Sequence, residues 1–356
     1  RSLPSPLCHP ATVPSLPSTV PSPHLLPYTL PTMASNDTPQ SDKTKEGKDD
    51  GYFNVENATV TGAETDGPKS KDEKKSDNEK NGGVKLTEEQ KLAKNKAFIF
   101  GMAKRMLVKK YTEEYFPATS NDIKTVLKHV QKVFEAEPVM VHCKAPACVV
   151  GDIHGQYEDL QRIFTMFEVG GVQGYLNQRF VFLGDYVDRG KQSVEVVISL
   201  FCLKVCFPNE FILLRGNHEC RPINKSYGFL AELRERYHKK DAMYLFEKFN
   251  HVFNYMPLVC ILADKILCMH GGICPEMKSR DVFKEIPKPM KDSNVHPVAA
   301  SLLWSDPMIG EPKYRPNRIR GLGIHFGEAL LAEVMAKLDV KLVVRGHQMM
   351  MNGFNF

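Results

Sequence analysis

Gly184-Asp185-Tyr186-Val187-Asp188-Arg189-Gly190 follows a short apolar run, Arg179 to Leu183, and precedes a helical pattern that begins at Ser193. Strand, polar loop and helix start in that order are the build of an open α/β sheet, where functional side chains gather at the carboxyl ends of strands. Two carboxylates and an arginine within five residues are costly to pack unless an ion or an anion compensates them. A metal would account for the carboxylates and a phosphate for the arginine.

Two further loops repeat the pattern. Upstream, Cys148-Val149-Val150 runs into Gly151-Asp152-Ile153-His154-Gly155; downstream, Phe211 to Leu214 runs into Arg215-Gly216-Asn217-His218-Glu219. Three neighbouring strands can therefore deliver carboxylate, imidazole and amide oxygen to one place, a mixture suited to hard or borderline divalent ions. Helical runs at Asp159 to Phe167, Ser193 to Cys206 and Tyr227 to Phe253 separate or follow these strands. Repeated βα units of this kind predict a largely parallel, helix-covered sheet.

Farther on, Leu258 to Leu262 and Ile266 to Met269 flank Ala263-Asp264-Lys265. They read as a β-hairpin and predict a second, antiparallel sheet. The hairpin exits into His270-Gly271-Gly272, and a helix over Glu328 to Lys337 leads to strand Leu342 to Val344 and then Arg345-Gly346-His347. Before the first loop, Thr87 to Gln90 has capping-box spacing ahead of Leu92, Phe98, Ile99, Met102 and Met106. A second apolar stripe, Ile123, Val126, Leu127, Val130, Val133 and Phe134, ends at Pro138. His129 and His142 read as structural or surface residues.

The 356 residues are 42% hydrophobic and 25% charged, with a formal net charge of +5. This suits a sizeable globular core and favours neither a nucleic-acid-binding tail nor a membrane partner. No apolar run reaches the roughly 18 residues of a membrane span. The nine cysteines contain no Cys-x-x-Cys pair, which points to reduced thiols and a cytoplasmic or nuclear setting. Residues 1–32 form a Pro/Ser tract and residues 34–83 a polar, charged stretch with few large apolar side chains, so residues 1–83 are expected to be a disordered extension. Because the chain begins at Arg1 and the first methionine is Met33, translated leader sequence is an alternative to a proline-motif ligand.

Collected, the strand-end groups are Asp152, His154, Asp185, Asn217, His270 and His347, six groups from five strand ends. Two divalent ions need about this many protein ligands, with one carboxylate shared across a separation of about 3.5–4 Å. Asp185, in the central stretch, is the choice for the bridge.

The series Gly151-Asp-Ile-His-Gly, Gly184-Asp-Tyr-Val-Asp-Arg-Gly, Arg215-Gly-Asn-His-Glu, His270-Gly-Gly and Gly346-His-Gln resembles the signature of the phosphoprotein Ser/Thr phosphatases, close to the type 1 catalytic subunit. The resemblance implies an α/β (α+β) metallophosphoesterase fold over residues 84–356, a β-sandwich flanked by helices. It implies hydrolysis of phosphoserine and phosphothreonine by hydroxide activated at a dinuclear metal site, without a covalent intermediate. By that match one metal takes Asp152, His154 and Asp185, and the other takes Asp185, Asn217, His270 and His347. Manganese is the foremost ion, with iron or zinc as cellular alternatives. Arg189 and Arg320 match the family's phosphate-holding arginines, while His218 would protonate the leaving oxygen and Asp188 would orient it.

Against family members that continue past the final histidine, this chain stops at Phe356, so the catalytic domain is expected to be incomplete at its C-terminus. Half of a groove for short Val-x-Phe peptides of regulatory subunits would remain, lined by Ile266, Leu342 and Phe356. Pro312 to Pro316 reads as an insertion. Two alternatives stand beside a phosphoprotein phosphatase: a bis-nucleosyl polyphosphate hydrolase of the same superfamily, and an inactive decoy that binds regulatory subunits. Gly190-Lys-Gln-Ser and Trp304-Ser-Asp-Pro favour the phosphatase.

Overall fold

The computed structural model describes residues 87–108, 115–167, 178–291 and 296–356. The extension expected over residues 1–83 lies outside them, as does Cys8. In chain order the elements are α1 (Glu88–Val108), α2 (Ser120–Ala136), β1 (Met140–Cys143), β2 (Ala147–Val150), α3 (Tyr157–Met166), β3 (Arg179–Phe182), α4 (Ser193–Cys206), β4 (Phe211–Leu213) and α5 (Arg221–Ser226). They continue with α6 (Phe229–Arg236), α7 (Lys239–Phe253), β5 (Val259–Leu262), β6 (Ile266–Met269), α8 (Pro297–Trp304), β7 (Asp306–Pro307), β8 (Tyr314–Pro316), β9 (Ile324–Phe326), α9 (Glu328–Lys337) and β10 (Leu342–Arg345).

The first sheet has the order β2-β3-β4, all parallel, as its continuous apolar strands predict. Successive residues on a strand point to opposite faces, and here the two faces meet different cores. Phe180, Phe182, Phe211 and Leu213 pack into a core with α2, α4 and α7. Val181, Leu183, Ile212 and Leu214 point the other way, against Val141, Cys143, Cys260, Leu262 and Cys268 of the second sheet. That second sheet, β1-β5-β6-β10, turns Val259, Ile261, Leu267 and Met269 toward α8 and α9. The result is helices, sheet, sheet and helices in four layers, the expected helix-flanked sandwich.

The second sheet is mixed, which corrects the antiparallel expectation. Only the β5–β6 hairpin is antiparallel; β1 pairs parallel with β5 and β10 parallel with β6. Both outer strands enter from a helix, α2 or α9, and a helical crossover returns the chain in the parallel sense. Strand β1 was not foreseen, because Met140-Val-His-Cys is too short and too broken by His142 to stand out. Nor is 312–316 a simple insertion: Tyr314–Pro316 forms β8, the edge of a small third sheet of order β7-β9-β8. The run from Tyr227 to Phe253 divides into α6 and α7 at Tyr237 and His238.

Local rules account for the helix ends. Thr87 and Gln90 exchange side-chain and backbone bonds at 3.0 and 3.2 Å, the expected capping box, although Leu92 is exposed and lies off the buried stripe of α1. At the start of α2, Thr119 and Asp122 do the same. Helix α4 is surrounded by neighbouring helices and β4, so every residue from Ser193 to Val205 is buried, the charged Glu195 and Lys204 included. His129 caps nothing catalytic: its Nδ1 meets Thr125 O on its own helix at 2.8 Å. No described helix is long and apolar enough to cross a membrane.

Candidate active site

The loops after β2, β3 and β4 touch one another before any side chain is considered. Gly184 adopts φ +110°, and a Cβ there would stand 2.4 Å from the backbone nitrogen of Gly216. The backbone N–H groups of Ile153 and His154 both donate to Asp185 O, at 3.0 and 2.9 Å. Under these loops lies Glu219, fully buried, whose carboxylate accepts from the N–H groups of Asp185, Tyr186 and Gly216 at 2.8–2.9 Å. Burial and the adjacent Asp185 raise its pKa to about 7.

Eight described non-glycine residues have positive φ, and five are candidate site residues: His154, Asp185, Asp188, Arg189 and His347. Left-handed backbone costs a side-chain-bearing residue energy, so its concentration at these loops marks a place where geometry outweighs local preference.

Two clusters share one member. His154, Asp185 and His218 hold ligand-type atoms within 4.8 Å of one another, as do Asp185, His270 and His347. His270 Nδ1 faces Leu183 O at 3.1 Å and His154 Nδ1 faces Val187 O at 2.8 Å. A carbonyl can only accept, so each ring carries its proton there and turns the Nε2 lone pair inward. The inward face of His270 meets Asn217 Oδ1 at 2.7 Å, His347 Nδ1 at 3.1 Å and Asp185 Oδ2 at 3.3 Å. His154 Nε2 is 3.5 Å from the same carboxylate oxygen. Lone pairs from a carboxylate, an amide and several imidazoles converge with too few protons to bridge them, and a bound cation resolves that conflict. The residues therefore fit divalent metal. Asp152 is turned toward the second cluster: its Oδ1 accepts from His347 N at 3.0 Å and lies 3.8 Å from His270 Nδ1.

The electrostatics follow from burial and these neighbours. Burial raises the Asp185 pKa, but His270, His218 and His154 outweigh it and hold the group ionised. His347 is pushed down to about 2 by burial, by His270 and by Arg320 and Arg345, which leaves its ring neutral. Burial would also lower His218, yet its 2.6 Å bond from Nδ1 to Asp188 Oδ2, together with Asp185, raises it. The other oxygen of Asp188 accepts from Phe229 N at 2.9 Å, which fixes the carboxylate.

The two arginines differ. Arg189 is exposed, and its backbone N–H is anchored on Tyr227 O at 3.2 Å. Arg320 is half-buried: Nε donates to Asp306 Oδ2 at 3.0 Å and Nη2 reaches His347 O at 3.4 Å. Asp306 also accepts from Asn317 Nδ2 at 3.0 Å and Arg345 Nη2 at 2.9 Å. Asp306, Asn317 and Arg345, like Glu219, carry no role in the sequence reading; the one signal for Asp306 was its place in Trp-Ser-Asp-Pro. Of the docking candidates, Ile266 and Leu342 are register partners on β6 and β10, with Leu342 41% exposed. Phe356 is fully exposed, and its ring meets Phe354 at 5.6 Å.

The calcineurin-like phosphoesterase family profile matches residues 145–351. The chain is 39% identical over 235 residues to the serine/threonine-protein phosphatase PP1-delta of Caenorhabditis elegans, covering 66% of this chain and 74% of that one. Among solved structures, it resembles a protein serine/threonine phosphatase from Saccharomyces cerevisiae with similarity to human phosphatase PP5. There the TM-score is 0.58 and the identity 29%, over 66% of this chain and 72% of the other. A profile match that spans more than half of the chain, and every strand-end loop from Asp152 to His347, makes this protein a member of the calcineurin-like phosphoesterase family.

Proposed function

We propose that the chain is a protein serine/threonine phosphatase, a phosphoric monoester hydrolase acting on phosphoserine and phosphothreonine. The observation that carries this reading is the convergence of Asp185, Asn217, His270 and His347 on one point, with His154 and His218 near the same Asp185 oxygen that faces His270. Both named relatives are serine/threonine phosphatases, which supports it over a bis-nucleosyl polyphosphate hydrolase.

Asp152, His154 and Asp185 would hold one divalent ion, with Asp152 offering the oxygen that does not accept from His347 N, and Asp185, Asn217, His270 and His347 the other, with manganese the first ion to test and iron or zinc the alternatives. Such ions polarise a phosphoryl oxygen and lower the pKa of water. The chain supplies the rest. Arg189 and Arg320 offer planar guanidinium forks to non-bridging phosphate oxygens, where charge has to be held during transfer. Asp188 accepts the Nδ1 proton of His218, so Nε2 carries the mobile proton and the raised pKa keeps it in place for the leaving serine or threonine oxygen. The Ile266–Leu342 pair would contact short Val-x-Phe segments of regulatory subunits. Six of the eight cysteines among the described residues are buried, which supports a reducing cytoplasmic or nuclear setting.

The test is turnover of a phosphoserine peptide and of diadenosine tetraphosphate by chelator-stripped chain reloaded with manganese. Peptide hydrolysis that returns with metal upholds the assignment. Preference for the dinucleotide would replace it with the other hydrolase, and full metal content without turnover of either would favour the decoy.

A further inference from the structure

Residues 313–320, Lys-Tyr-Arg-Pro-Asn-Arg-Ile-Arg, carry four cations and no acid, and only Arg320 has a part in the proposed reaction. They form β8 and the turn after it. β8 pairs on one side alone, with β9, and Lys313, Arg315 and Arg318 are all exposed.

This arm is fixed against the site. Asn317 is buried and donates to the same Asp306 oxygen that accepts from Arg320 Nε, each at 3.0 Å. Its own Oδ1 accepts from Arg320 N at 3.1 Å, and Gly321 N closes the turn on Asn317 O at 3.0 Å. Through Arg320 and His347 O, the turn that carries Arg318 is tied directly to a candidate metal ligand.

The fold neutralises the arm only in part. Lys313 shares Glu333 with Lys337, Arg320 shares Asp306 with Arg345, and Arg315 meets Glu311 at 3.3 Å. No carboxylate of the described residues pairs with Arg318. An excess of cations on an exposed edge raises the local potential and draws anions to it. An extended peptide advances about 3.3 Å per residue, so side chains two to five positions from a phosphoserine held at Arg320 lie roughly 7–16 Å away, a span comparable with the two and five residues that separate Arg318 and Arg315 from Arg320.

We propose that Lys313, Arg315 and Arg318 select phosphoprotein segments in which acidic residues flank the phosphoserine or phosphothreonine. The inference rests on the phosphatase reading and names the substrate class of that same site.

The test uses the full chain and two peptides that carry a non-hydrolysable phosphonate in place of phosphoserine, one with glutamates and one with glutamines at the flanking positions. Binding is read by fluorescence anisotropy. At low ionic strength the glutamate peptide should bind about tenfold tighter, the sum of several exposed ion pairs, and high salt should erase the difference. The triple variant K313Q/R315Q/R318Q should bind both peptides alike, and Arg318→Glu should favour a lysine-flanked peptide. Both variants should match the parent in melting temperature and in p-nitrophenyl phosphate turnover, since the three side chains are exposed and the proposed reaction uses none of them. Equal affinities in the parent, or an undiminished preference in the triple variant, overturn the proposal. So does displacement of the glutamate peptide by single-stranded RNA of matched charge as readily as by the peptide itself, which would make the arm a general polyanion surface. Absence of aryl phosphate turnover in the parent would instead strike the phosphatase reading, while peptide selection is still decided by binding.

Discussion

Ala263 and Asp264, in the turn between β5 and β6, hold the same left-handed backbone as Asp185 and Asp188 in the loop after β3. In the hairpin the conformation aims no candidate site residue: both residues are exposed, Lys265 N closes on Leu262 O at 3.3 Å, and the remaining hydrogen bonds are to backbone atoms, Ala263 N donating to Cys143 O and Asp264 O accepting from Arg280 Nη2, each at 2.9 Å. Such tight turns ask for positive φ and accept glycine readily. In the loop after β3 glycine would satisfy the backbone equally well, but the carboxylates would be gone. The same local strain should therefore be replaceable where only the backbone is used, and not where it aims a side chain of the proposed site.

The largest test of that contrast is Asp185→Asn. A neutral amide joins two cations poorly, so both clusters weaken together; activity should fall by roughly 10³-fold or more, the scale of losing a principal electrostatic group. Metal content measured beside turnover decides it, and full loading with parental turnover would remove Asp185 from the bridge.

Next is His218→Asn, which should keep metal bound and slow hydrolysis of a phosphoserine peptide by about 10²–10⁴-fold. The loss should be smaller for an aryl phosphate, whose leaving group needs no proton. Equal losses for both substrates would make His218 a positioning residue.

Asp306→Asn carries the contrast into the third sheet. It leaves Arg320 and Arg345 with a neutral partner where they now share a carboxylate, and misplacement of a supporting group of this kind typically costs about 10–100-fold. The KM for a phosphopeptide should rise while metal content holds. An unchanged KM would show that Arg320 keeps its place without Asp306.

The smallest effect belongs to the hairpin. Ala263→Gly should relieve the left-handed strain and stabilise the protein by about 0.5–1 kcal/mol, a rise in Tm of roughly 1–4 °C for a domain of this size. Activity should not change. A fall in Tm would mean that the strain there supports packing, and the two regions would no longer differ as described.

Much of this was legible in the residue order, for a physical reason. Parallel strands such as β3 and β4, buried on both faces, must be continuous apolar runs, and the half-buried edge strand β2 keeps the pattern; their glycine-fenced exits stand out against them, so these strands and the six ligand candidates could be read before any coordinates. The hairpin was equally plain from two apolar runs around a short polar turn. Strand β1 was not, since the four residues Met140–Cys143 gain strand character only by pairing with β5. Asp306, Asn317 and Arg345 were not, because a buried polar network is defined by partners that lie 11 to 40 residues apart in sequence, and composition around each one is unremarked.

What the sequence determined by itself is the chemistry: which carboxylates, imidazoles and arginines stand at strand ends, and that they suit metal and phosphate. Local spacing settles this because a strand's exit places the next few side chains at one sheet edge whatever surrounds it. Only the tertiary structure decided the rest: that Asp185 is common to both clusters, that carbonyls of Leu183 and Val187 choose the histidine tautomers, and that Asp306 ties the β8 turn to the site. Those are contacts between segments far apart in the chain, where the partner's position follows from packing of two sheets and their helices and from no pattern within either segment.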